Sequence, residues 1–387
     1  MIRNPAASTV DPMSRPSDRC PGVFSAHPAA DGHLARIRLP GGLITPAQVL
    51  ALVGVSDGFG DGHFELTSRG NVQVRGITDI DGAGELILDA GLIPSPSHER
   101  VRNLQLSALT GRRGGLLDAR PILAEFDRRL QSDAALAKLP ARILFGVDDG
   151  RGDILTQGPD IGVLAIDDQS FDVVVGGKPT GRQVAAADAP AVMIDLAHAF
   201  LADRNDEWRV QDLAGRAAID GVLAGLPVTG EYSRSQAGSE PRVGWLAQDD
   251  KNLVALGSVV PHGRIPARVG EFLAAIERDI YLTPRKEILI VDLSEGMADT
   301  VLRVMAPMGL IFDENSPWTR ITDCTGSPGC DKSHTDVRGD LDRHLGAVDV
   351  AIDDREHWVG CERGCGSPHE DHIRVEATPT GYTRRRL

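Results

Sequence analysis

The sequence predicts an α+β fold in which a duplicated unit packs about a pseudo-two-fold axis. Three observations carry that expectation: one order of elements occurs twice, short phrases recur at matching places in both copies, and the segments between the copies mix strand and helix patterns.

The first twenty residues, rich in Pro, Ser and Arg without apolar periodicity, read as a loosely ordered tail. From Leu34 a strand runs to Leu39, and Pro40-Gly41-Gly42 makes a turn. A helix follows with Thr45 as N-cap and Pro46 at its first position, where proline's missing N–H costs nothing. A strand pair spans Phe64 to Ile77. The order returns at Val254, with a strand to Val259, the turn Pro261-His262-Gly263, a helix from Pro266 to about Arg278 and a strand from Glu287 to Leu293. Leu66-Thr67-Ser68-Arg69 answers to Leu282-Thr283-Pro284-Arg285, and Gly42-Leu43-Ile44 to Gly263-Arg264-Ile265. Each copy leads into an acidic helical stretch, Asp79 to Ala90 and Asp292 to Met305.

Between the copies the pattern gives a helix near Pro121 to Leu130, then strands Arg142 to Val147, Ile161 to Ile166 and Phe171 to Val175, with a turn at Gly176-Gly177. Helices follow at Ala191 to Leu201 and Glu207 to Leu223, and polar Thr229 to Glu240 is the linker candidate. The expected division is a tail (1–20), a first half-unit (21–90), an α/β domain (91–228), a second half-unit after the linker (229–300) and a second α/β domain (301–387).

At 387 residues, 41% apolar and 25% charged, the chain suits a soluble protein of two to three domains. Its 43 glycines and 24 prolines demand many turns. A net charge of -14 repels nucleic acid and anionic lipid, so neither is an expected partner. The sequence has no apolar run of bilayer length and no apolar block behind Met1, so a cytoplasmic location is expected.

Four of the five cysteines form two pairs, Cys324-x5-Cys330 and Cys361-x3-Cys365. A cubane cluster needs four converging thiolates, and Gly326, Pro328, Gly329, Gly364 and Gly366 supply turns that bring backbone N–H groups toward sulfur. Zinc sites usually pair ligands across two to four residues, for which the first spacing is wide, and disulfides conflict with a reducing compartment. Cys20 is left over as an ordinary thiol.

The two cysteine pairs, downstream of Leu66-Thr-Ser-Arg-Gly-Asn-Val-Gln-Val-Arg-Gly76, resemble the nitrite/sulfite reductase superfamily from about Pro21 to Ile373. Within it, Cys20-Pro21-Gly22 and Cys324-Thr-Gly-Ser-Pro-Gly-Cys330 are most similar to the precorrin-3B synthase branch of aerobic cobalamin biosynthesis. The resemblance implies duplicated ferredoxin-like half-domains and a [4Fe-4S] cluster on Cys324, Cys330, Cys361 and Cys365. It also implies precorrin-3A and molecular oxygen as substrates and a mononuclear non-haem iron; since no nicotinamide or flavin site is visible in the sequence, electrons are expected from a separate donor protein.

Thr67, Arg69, Asn71, Gln73 and Arg75 alternate with Val72 and Val74, so a fully extended stretch puts five polar side chains on one face. The second copy reads Thr283, Arg285, Glu287, Leu289 and Val291, so only the first presents a full polar face. That face suits a carboxylate-rimmed tetrapyrrole, with a solvated edge as the plain alternative. Arg100, Arg102, Arg112 and Arg113 flank Asn103, and the resemblance points to Arg69 and Arg102 as tetrapyrrole contacts, whereas Arg112 and Arg113 read as surface residues. Siroheme reductases place two lysines after a Leu-Pro; here Leu139-Pro140 is followed by Arg142 and Leu144, which makes siroheme and sulfite or nitrite reduction the second reading. His98 and His334 read as structural or surface histidines, and Gly58-x-Gly60-x-Gly62 precedes a strand, so it lacks the context of a nucleotide-binding loop. Arg384-Arg385-Arg386 reads as a solvated basic end.

Overall fold

The computed structural model describes residues 20–230, 242–346 and 352–387; most of the expected tail and linker lie outside them. Thr45 caps the helix Pro46–Gly58 in a capping box with Gln48, satisfying donors that the first helical turn leaves open. In the second copy the equivalent helix, Ala267–Ala275, stops before the expected Arg278 because Glu277 turns to positive φ.

Each copy builds a five-stranded sheet whose last strand comes from the other copy. Arg264–Pro266 of the second copy pairs with His63–Leu66 of the first, while Leu43–Ile44 of the first pairs with Ile280–Leu282 of the second. The exchange leaves one continuous core. Ile37, Phe64, Val72 and Val74 of the first sheet pack with Leu256, Ile288 and Ile290 of the second, and the two copies' helices lie between. Gly270 lets those helices approach, since a Cβ there would lie 2.6 Å from Val53 Cγ2.

The two remaining sheets also repeat one plan. Leu104–Leu106, Phe145–Asp148 and Ile161–Ala165 run parallel before Ser170–Val175 returns antiparallel, extended by Lys178–Ala185. Ile321–Asp323, Glu356–Val359 and Ile373–Thr378 likewise run parallel before Gly381–Arg386 returns. These C-terminal strands and the helix Val337–Gly346 escaped sequence reading because they are short and interrupted by polar residues. Within Glu207 to Leu223 only Ala217–Ala224 belongs to an α-helix, because Arg209 and Val210 are drawn to Asp160. Arg384 and Arg386 sit in a strand and pair with Glu356 and Asp354, so the basic end is not simply solvated.

Among the described residues no helix is long and apolar enough to cross a membrane.

Gly42 has φ 71° and faces the exchanged strand, so an added Cβ would collide with the Leu282 carbonyl oxygen. Gly42→Ala should therefore cost about 3 kcal/mol, read as a fall in the midpoint of chemical unfolding relative to Gly54→Ala, whose Cβ would meet only Leu86 at 3.8 Å.

Candidate functional site

Both cysteine pairs emerge from the C-terminal ends of adjacent parallel strands, where loops of α/β sheets converge. Cys324 follows Ile321–Asp323 and extends the ladder by donating its N–H to the Trp358 carbonyl; Cys361 follows Glu356–Val359 after a single glycine. Gly360 N–H points at Cys324 Sγ from 3.3 Å, and Gly326 N–H also bonds that sulfur. His334 N–H holds the Gly360 carbonyl, which ties the two loops together.

Cys361 is buried, Cys324 and Cys330 are half-buried, and Cys365 is exposed. Although Cys365 reaches solvent, partial desolvation by its neighbours pushes its thiol up, and Cys361 and Cys330 add to the shift, so these sulfurs share one field; Cys324 is raised by burial, with Asp323 and Cys365 adding. Among the described residues no three of these sulfurs lie within 4.8 Å of one another. Soft thiolates with backbone amide donors are the ligand chemistry a multi-iron cluster takes.

The polar row of the first copy is divided. Thr67 and Arg69 lie in the turn between His63–Leu66 and Val72–Ile77, so the alternation expected from Thr67 onward holds only within the strand. Thr67 Oγ1 accepts from Asn71 N–H at 3.1 Å, closing that turn. Asn71 is buried, accepts from Leu39 N–H and donates to Asn103 Oδ1, while Asn103 in turn donates to the Ala141 carbonyl. Gln73 bridges Arg36 and Glu65. Arg75 is bidentate to Asp31 and also donates to the Gly329 carbonyl. Of the face read as a tetrapyrrole surface, Arg75 thus meets the first cysteine loop, while Thr67, Asn71 and Gln73 are bonded to neighbouring residues.

The same packing explains why the copies differ. The second sheet's outer face buries Tyr281, Leu289 and Val291 against Leu109, in the loop after Leu104–Leu106. Each outer face matches the loop it receives, polar for the cysteine loop and apolar for Leu109.

Arg102 is buried and bidentate to Asp127, with both bonds at 2.8 Å, so its fork is committed within its own domain. Arg112, expected at the surface, is buried against Asp292 and Tyr281. Arg142 stacks over Trp208 at 4.1 Å, and its carbonyl accepts from Arg69. His98 is buried between Ser95, Ser97 and the Asp133 carbonyl.

The arginines that sequence reading missed are Arg36 and Arg38, on the strand Gly32–Ile37 and just beyond it. Their Nε atoms are buried without a hydrogen-bond partner. Burial pushes Arg38 down to about 9 and Arg69 to about 10, while Cys20 opposes the fall in both; Arg36 is lowered mainly by burial, with Cys20 and Cys365 opposing. An arriving anion would relieve these desolvated cations. Alternation around Arg36 and Arg38 in Leu34 to Leu39 was the available signal. In the second copy Arg285 lies with Arg355 on either side of Glu370, which fills that pocket with an internal carboxylate.

At the position opposite the cysteines, Asp148, Asp149 and Asp153 cluster after Phe145–Asp148. Burial and the neighbouring acids push Asp148 up to about 7. Its oxygens accept from Gly150, Gly152, Ile154 and Leu155 N–H groups, and Asp149 pairs with Arg151, so these carboxylates organise their loop.

The model of the nitrite/sulfite reductase ferredoxin-like half domain matches residues 27–81. A precorrin-3B synthase of Sinorhizobium sp is 24% identical, with 97% of this chain and 83% of that protein covered. A ferredoxin–nitrite reductase of Leptolyngbya laminosa is 25% identical, with 92% and 79% covered. The chain is thus similar to nitrite and sulfite reductases and to a precorrin-3B synthase over most of its length. The NirA protein of Mycobacterium tuberculosis shares the fold, with a TM-score of 0.72 at 17% identity over 91% of this chain and 73% of that one. Relatives in this superfamily are oxidoreductases, and siroheme and [4Fe-4S] are its cofactors.

Asp323, whose side chain is fully buried beside Cys324, is held by His262, Lys286 and Arg338. Burial alone would raise its carboxyl, but Lys286, His262 and Arg338 outweigh it and hold it well below the usual carboxylate range. Because its folded pKa is depressed, its contribution is complete above the unfolded value of about 4 and fades as pH falls from there toward the folded one. Asp323→Asn strands these cations and should destabilise the chain by about 3–5 kcal/mol at pH 7. Denaturant titrations of both proteins should show that gap narrowing below about pH 4.

Proposed function

We propose that this protein is a precorrin-3B synthase, hydroxylating C20 of precorrin-3A with molecular oxygen and closing a γ-lactone from the ring A acetate. The observation that supports it most is the pair Arg36 and Arg38, whose Nε atoms are buried without a hydrogen-bond partner, with the desolvated Arg69, close to Cys20 and the Cys365 loop. Precorrin-3A carries a rim of acetates and propionates, the anions such guanidinium groups select by charge-assisted hydrogen bonds. With Arg285 and Arg355 occupied by Glu370, these arginines engage the macrocycle from one side.

Bound on Cys324, Cys330, Cys361 and Cys365, a [4Fe-4S] cluster would supply single electrons. The same reading calls for a mononuclear iron and a separate electron-donor protein. The chain's own groups orient the carboxylates and, through Arg142 on Trp208, line the approach.

Siroheme-dependent sulfite or nitrite reduction is the second reading. Against it, Leu144 is buried in the apolar core at a position where the reductases place a lysine, and a missing cation beside a small dianion is costly in a dry site.

Anaerobically purified protein, once reduced with dithionite, should show cluster electron paramagnetic resonance without macrocycle absorption bands, and should turn over precorrin-3A when given oxygen and reductant. Intrinsic siroheme bands, or no turnover by protein holding a full cluster, would reverse the assignment. Arg38→Met should weaken anaerobic binding of precorrin-3A by tenfold or more, the loss of a charge-assisted hydrogen bond of about 1.5–3 kcal/mol, with the cluster signal retained.

A further inference from the structure

The two α/β sheets correspond bond for bond. Cys324 N–H donates to the Trp358 carbonyl as Ser107 N–H donates to Val147; Glu356 meets Arg320 as Phe145 meets Asn103; Ile373 meets Arg355 as Ile161 meets Leu144. In that register Thr322, His357 and Arg374 stand in one row across three strands, and their counterparts are Gln105, Gly146 and Gly162. The row carries an imidazole and a guanidinium only in the half that carries the cysteines.

Both groups reach the loop that begins at Cys361. His357 is fully buried, with Nε2 3.1 Å from the Cys365 carbonyl oxygen and Nδ1 2.8 Å from Thr322 Oγ1. The Cys365 carbonyl oxygen can only accept, so Nε2 is the donor there, and Nδ1 has the Thr322 hydroxyl as its partner. Arg374, also buried, donates through Nη2 to the carbonyls of Cys361 and Glu362. Its Cζ lies 2.8 Å from where a Cβ of Gly364 would stand, which is why the loop needs glycine there.

We propose that His357 and Arg374 are positioning residues for the cysteine loop: they pin the carbonyl oxygens of Cys361, Glu362 and Cys365 to the sheet, and so set the reduction potential of the centre the cysteines hold. A freed carbonyl oxygen would bring partial negative charge to an anionic centre in a low-dielectric site, making reduction harder. The inference rests on the reading of the four cysteines as [4Fe-4S] ligands.

The test uses the full chain, purified anaerobically, as His357→Phe, Arg374→Met, His357→Gln and Thr322→Val. Iron and labile sulfide are counted, and the potential is taken from a redox titration followed by electron paramagnetic resonance. His357→Phe and Arg374→Met should make reduction at least tenfold less favourable, a negative shift of about 59 mV for one electron. His357→Gln, which keeps an N–H for the carbonyl, should recover part of the shift. Thr322→Val removes only the hydroxyl that partners Nδ1 and should move the potential the same way by less. If His357→Phe or Arg374→Met fails to fold, Thr322→Val decides. Variants with a full cluster and an unmoved potential overturn the positioning role alone, whereas wild-type protein without labile sulfide overturns the cluster reading and this inference with it.

Discussion

The fold depends on a reciprocal loan of strands across its pseudo-two-fold axis. Arg264–Pro266 closes the first sheet and Leu43–Ile44 closes the second, so neither sheet keeps an open edge there and neither copy completes its sheet alone. The shared core behind both sheets fixes their relative angle, and the outer faces must then receive the α/β halves on opposite sides of the axis. Everything chemical in the molecule is carried on those two seats.

On one seat the fold delivers cysteines, and on the other it does not. Ser107 stands where Cys324 stands, Asp149 where Gly360 stands and Gly150 where Cys361 stands, as the matching backbone hydrogen bonds show. Duplication therefore provided the framework twice, while the thiol chemistry was placed once. The sheet faces follow suit: Arg75 donates to Gly329 in the cysteine loop, whereas Leu289 and Val291 meet Leu109. Polarity in these strands reports which loop each one touches.

Charge near the cysteine loops is arranged by a similar economy of partners. Arg102, Arg112 and Arg75 each face an acid, Asp127, Asp292 and Asp31, and of these pairs Arg112–Asp292 joins two domains. Arg36 and Arg38 instead have no such acid: their Nη atoms bond Gln73 and the carbonyls of Pro21 and Arg36, and their buried Nε atoms are left without a hydrogen-bond partner.

The sequence by itself determined what rests on local pattern. The capped helix at Thr45, the strands of both copies, the internal repeat and the four-cysteine spacing are written in neighbouring residues, because turns, caps and alternation depend on near neighbours. Tertiary structure decided which polar groups are committed and which are available. Nothing near Arg102 in the chain announces Asp127, nothing near Arg75 announces Gly329, and His357 reaches Cys365 only because three strands lie in one register. Hydrogen-bond partners so distant along the chain are chosen by packing, and a buried guanidinium becomes a binding group or a structural one according to whether that packing brings it an acid.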